Sequence, residues 1–144
     1  MVAALMFCLV LQGQQVVVQG GPPPKPVPRD APSTLPDTPQ ARMVREYLDA
    51  FNSGNETRFM KAQEDLMSAE TLAKRPADQR AKMYARMKAD FGTLTIKRVA
   101  ATPEQIRAVV PDKDGNEAII AFDFEPKSPH KIKSISIDIS GVQR

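Results

Sequence analysis

Residues 82–99 read "KMYARMKADFGTLTIKRV", and the change of rhythm inside them decides the fold. Up to Phe91 the apolar side chains Met83, Met87 and Phe91 recur every fourth position, the spacing of one buried helix face. Beyond Gly92 the interval drops to two, with Leu94 and Ile96 alternating with polar neighbours as on a half-buried strand. Gly92 stands at the changeover, where a helix end needs a residue that tolerates the left-handed conformation. Helices on one side of this point and strands on the other predict an α+β domain.

Toward the C-terminus the two-residue rhythm persists. "QIRAVV" alternates through Ile106, Ala108 and Val110; "AIIAFDFE" sets Ile120, Phe122 and Phe124 on one face; "IKSISIDI" sets Ile135, Ile137 and Ile139 opposite Ser134, Ser136 and Asp138. With the strand at Leu94–Val99 this makes a four-stranded antiparallel meander with one buried face. Asp114-Gly115 marks the turn between the second and third strands, and Pro126 and Pro129 bracket the last connection.

Toward the N-terminus the helical rhythm holds. "RPADQRAKMYARMKADFG" begins a third helix near Pro76, and its Arg86–Asp90 pair adds about 0.2–0.5 kcal/mol on an exposed face. Thr38-Pro39 is a cap followed by a first-turn proline; Val44, Tyr47, Leu48 and Phe51 then form one stripe. In "AFNSGNETRF" Gly54 can end that helix and Asn55 can cap the next, whose apolar face carries Phe59, Leu66 and Met67. The expectation is three N-terminal helices packed on one face of the four-stranded sheet, over residues 38–140.

Ahead of this domain lie two other segments. Residues 20–39 hold eight prolines, which predicts a solvated, semi-rigid polyproline-like linker over 21–37. Val2 to Leu11 is an uncharged apolar run of ten residues, too short to span a bilayer but suited to a signal-peptide core, despite the missing basic flank. A signal peptide over 1–20, cut after Gly20, predicts a secreted or periplasmic protein with no stable membrane span afterwards. Cys8, the sole cysteine, lies inside that run behind Phe7, a poor setting for lipidation, so the mature chain has no thiol.

Chemistry-bearing patterns are sparse. His130 is the only histidine, so a multi-histidine zinc centre is not available, and it reads as a turn residue or an orienting hydrogen-bonder. Ser128 and Lys131 have S-x-x-K spacing, but two prolines and a following strand deny them the helix that this motif needs. Asp112, Asp114, Asn116 and Asp123 resemble a calcium loop, yet Glu117 stands where its glycine belongs, which favours a hairpin. Glycine-rich phosphate loops are missing. No catalytic residue, metal ligand or cofactor is assigned. Twenty basic residues interspersed with seventeen acidic ones, no Trp and two Tyr give nucleic-acid binding no support.

The block "AFNSGNETRF…LAKRPADQRAKMYARMKADFGTLTIKRV…EPKSPHKIKSISI" resembles the small exported accessory domain, NTF2-like or cystatin-like, that precedes beta-lactamase-type serine hydrolases and some tail-specific-type proteases in bacteria. The likeness covers about residues 39–139 and lies in the order and spacing of Ala50 to Gly54, Arg75-Pro76, and Glu125-Pro126 with Pro129 to Ile132. It implies a non-catalytic α+β module, with catalysis belonging to a hydrolase that these 144 residues do not contain. The expected function is an exported accessory or binding domain, monomeric or dimeric, that engages a protein partner or small ligand through Asn52, Asn55, Pro129 and His130. The alternative is a small NTF2-like enzyme whose pocket uses Tyr47, Asp49, Tyr84 and Asp90 for acid–base work. A third reading is a truncated hydrolase gene whose product has no function alone.

Overall fold

Thr38 accepts a hydrogen bond from the Ala41 amide at 3.1 Å and Pro39 fills the first turn, so α1 runs Pro39–Asn52. This is a computed structural model, and it describes residues 15–17 and 24–138. Gly54 turns the chain at φ +72°, and the Asn55 side chain caps α2 (Glu56–Leu66) by accepting from the Arg58 amide. Ser68 caps a six-residue helix, α3 (Ala69–Lys74), and α4 follows over Ala77–Phe91. The remaining elements are β1 (Gln15–Val17), β2 (Arg98–Ala101), β3 (Gln105–Pro111), β4 (Glu117–Phe124) and β5 (Ile132–Asp138).

The sheet order is β1-β5-β4-β3-β2, antiparallel at every neighbour. Helices followed by a four-stranded antiparallel meander is the α+β arrangement that the sequence predicts. Two elements go beyond it: α3, and the short strand β1, which pairs Gln15, Val16 and Val17 with Asp138, Ile137 and Ser136. The rest of the expected signal peptide lies outside the described residues.

The first strand of the meander begins later than its alternation suggests, at Arg98 and not at Leu94. The cause is local. The Asn52 side-chain amide donates to the Leu94 carbonyl at 2.9 Å and accepts from the Leu94 amide at 2.7 Å. Both backbone groups of Leu94 are therefore engaged by the end of α1 and are not available to a strand partner.

Register divides the sheet into two faces. The rows Val99–Ala108–Ile120–Ile137 and Ile106–Phe122–Ile135 face the helices. Against them pack Val44, Tyr47, Phe51, Phe59, Leu66, Tyr84, Met87 and Phe91, all buried. Five rings meet at the centre: Tyr47, Phe51, Phe59, Tyr84 and Phe122, with neighbouring centroids 5.0–5.6 Å apart and mostly edge-on.

The opposite face is also partly covered, which corrects the expectation of a fully solvated linker. Val27, 7% exposed, packs on Val109 and Ile119. Proline keeps its carbonyl acceptor although it lacks a donor, so a proline-rich segment can be held only by donors from elsewhere. Arg107 donates to Pro26 O at 2.8 Å, Arg98 to Pro28 O at 3.2 Å, and the Val99 amide to Pro32 O at 2.8 Å. The segment thus crosses the sheet and reaches its β2 edge. Further along the same face Asp123 accepts from Gln105 at 2.8 Å and from Ser134 at 2.6 Å, a polar row spanning β3, β4 and β5. No helix among the described residues is long and apolar enough to cross a membrane.

Candidate functional site

The residues expected to contact a partner fall in two places. Asn52 holds Leu94 and Asn55 caps α2, so both amides are occupied by backbone at the α1–α2 corner. Pro129 and His130 form the β4–β5 turn, where His130 takes φ +59° and its Nδ1 lies 3.0 Å from Glu125 O. That turn sits by the other end of α2: Lys131 Nζ donates to Asp65 O, and Ile132 bridges to Met67. Eleven residues of helix, roughly 16 Å at the usual rise, separate the two clusters.

The acid–base candidates also divide. Tyr47 and Tyr84 are buried in the ring cluster. Asp49 is exposed on α1, beside an open groove of about 370 Å³ that Glu46, Arg58, Lys61 and Asp65 also line. Asp90 is exposed on α4 and stands 3.9 Å from Arg86.

Where α1, α2, α4 and β5 converge, a different group of side chains meets. Tyr47, Gln63, Met67, Arg80, Met83 and Ile135 enclose a cavity of about 20 Å³, with Arg75 and Gln79 at its border. That space suits about one water molecule. Gln63 is 5% exposed and Arg80 9%, although both are polar. Arg80 donates through Nε to Arg75 O at 2.9 Å and through Nη1, at a long 3.5 Å, to Gln63 Oε1. Gln63 in turn hydrogen bonds the Tyr47 hydroxyl.

Two features mark this cluster off from an ordinary core. Every ion pair among the described residues joins other side chains, so Arg80 is a largely desolvated cation without a carboxylate partner there. Tyr47, fully buried, is pushed above the ordinary phenol range by desolvation, and the Gln63 hydrogen bond offsets part of that rise. Tyr47 is accordingly a neutral phenol at physiological pH. Among the described residues no three of His, Cys, Asp and Glu gather as a metal site.

The raised Tyr47 value has a signed consequence for stability. Above pH about 10 an unfolded tyrosine releases its proton while folded Tyr47 keeps its own, so the unfolded state binds fewer protons. Stability is then lost as pH rises from about 10, by up to roughly 1.4 kcal/mol per pH unit. Urea unfolding at pH 9 to 11 is expected to show this slope in the wild type and a shallower one in Tyr47→Phe. Parallel slopes would contradict it.

Neither Gln63 nor Arg80 stands out in the sequence by residue type. Their position carried the signal: Phe59, Gln63 and Leu66 share one helical stripe, as do Arg80, Tyr84, Met87 and Phe91. A polar residue on an apolar stripe is a buried polar residue. No protein-family model matches this chain, and neither does any curated protein.

Proposed function

We propose that this chain is a non-catalytic, exported accessory or binding domain whose helix–sheet interior takes a small ligand. The observation that carries the reading is Arg80: a residue 9% exposed that lines a small cavity, without a carboxylate partner among the described residues. A buried charge costs folding energy unless something pairs with it, and binding sites are where such a cost is retained. Export is supported by the apolar run Val2–Leu11, and the accessory role by the resemblance to the NTF2-like module.

The acid–base alternative draws less support from the same cleft. Tyr47 is in it, but burial moves its proton affinity away from neutrality, whereas a general acid or base works best near the operating pH. Asp49 and Asp90 are on exposed helix faces.

Methyl NMR of the full chain against a panel of small organic compounds tests the reading. Saturable shifts are expected at the Met67, Met83 and Ile135 methyls, without turnover of any compound. Shifts confined to other parts of the protein, or conversion of a compound that is lost in Tyr47→Phe, would contradict it.

A further inference from the structure

We infer that the Arg80 cleft selects small amphipathic monocarboxylates, with the carboxylate on the guanidinium and the hydrocarbon against Met67, Met83 and Ile135. This rests on the ligand-binding reading above and adds the chemical class.

Arg80 supplies the head-group site. A guanidinium is always protonated and presents five N–H donors in a planar fork that matches a carboxylate. Two of those donors are engaged, by Arg75 O and Gln63 Oε1, and Nη2 has no protein acceptor among the described residues. No buried side-chain nitrogen or oxygen in the described residues is sealed off without a partner, so the remaining donors of Arg80, a residue that lines the cleft, are open to solvent and free to take a ligand. Arg75, half-buried at the border, adds a second positive charge, and it too forms no ion pair among the described residues. The cleft therefore offers donors and positive charge with no competing acid.

The walls supply the other half of the selection. Met67 and Ile135 are 3% and 1% exposed, and Met83 is half-buried on the solvent side. Methionine repacks readily around ligands of different shape. The cleft as it stands has room for about one water, so a larger guest requires Met83 and Arg75, both half-buried, and Gln79, exposed, to swing aside. The neighbouring backbone is held: the Ser68 amide donates to Ile132 O at 2.9 Å and Thr71 Oγ1 donates to Lys133 O at 2.7 Å, fastening α3 to β5. A single buried fork between apolar walls fits one carboxylate with a hydrocarbon tail. A bare anion would leave the walls unused, and an alcohol would leave the guanidinium unpaired.

Titration calorimetry of the full chain with octanoate, octanol and acetate tests this, in the wild type and in Arg80→Met and Arg80→Lys. Octanoate is expected to bind about 10- to 100-fold more tightly than octanol, the range that a charge-assisted bidentate contact supplies, and at least about 10-fold more tightly than acetate, which makes that contact but leaves the apolar walls unused. Arg80→Met should remove the preference of octanoate over octanol, and Arg80→Lys, which keeps the charge but not the fork, should retain part of it. Circular dichroism checks folding; should Arg80→Met not fold, the Lys variant and the wild-type preference decide. Equal binding of octanoate and octanol would overturn the carboxylate selection while leaving a small-ligand cleft. Equal binding of octanoate and acetate would overturn the role of the walls. If neither octanoate nor octanol shifts the Met67, Met83 and Ile135 methyls, the selection is overturned, and failure of the whole compound panel would remove the ligand-binding reading as well.

Discussion

Phe59→Ala is expected to lower the free energy of unfolding by about 3–5 kcal/mol, the range for truncating a buried aromatic residue. Phe59 is 1% exposed and its ring touches those of Tyr47 at 5.1 Å, Phe51 at 5.5 Å and Tyr84 at 5.0 Å. Removing it deletes three ring contacts at once and leaves a void between α1, α2 and α4, which rigid neighbours cannot fill. Domains of this kind have about 5–15 kcal/mol in total, so the variant should unfold at a much lower urea concentration. A loss below about 1 kcal/mol would mean that the helical layer is not packed around this ring.

Val27→Asp is expected to cost about 2–4 kcal/mol, from lost apolar burial together with a carboxylate placed against Val109 and Ile119. The neighbouring Lys25 is exposed, so Lys25→Asp should stay within about 0.5 kcal/mol, as surface changes usually do. The comparison separates two accounts of the proline-rich segment. A strap that belongs to the folded body makes the two positions unequal; a free tether makes both changes small. Urea midpoints of the two variants against the wild type read the difference directly.

Much of the architecture could be read from local rules, because local hydrogen bonds decide it. Thr38, Asn55 and Gly54 end or begin helices through backbone groups within three residues of themselves. The β3–β4 hairpin works likewise: Asp112 Oδ1 accepts from the Asp114 and Asn116 amides. What periodicity missed depends on partners far along the chain. Leu94 alternates like a strand residue, yet Asn52, 42 positions earlier, takes both of its backbone groups. Val27 is a single apolar residue among prolines, and only the sheet surface folded beneath it shows that it is buried.

The site was less legible than the fold for a related reason. Asn52 and Asn55 belong to a polar cluster in the sequence, and both side chains bond the backbone. Arg80 and Gln63 gave no motif, because one arginine and one glutamine match no chemical pattern on their own. Their meaning comes from α2 and α4 bringing positions 17 residues apart to the same cavity. Extending the α4 stripe one turn back from Tyr84 would have reached Arg80.

Arg80 is retained for a ligand rather than for the fold, and urea unfolding of Arg80→Met without ligand measures the difference. Replacing a buried, unpaired charge by an apolar side chain of similar length is often neutral or stabilising, so the variant is expected to lie within about 1 kcal/mol of the wild type or above it. A loss of more than about 2 kcal/mol would contradict the claim, because the contacts of Arg80 with Arg75 O and Gln63 would then be what holds α3 and α4 in place.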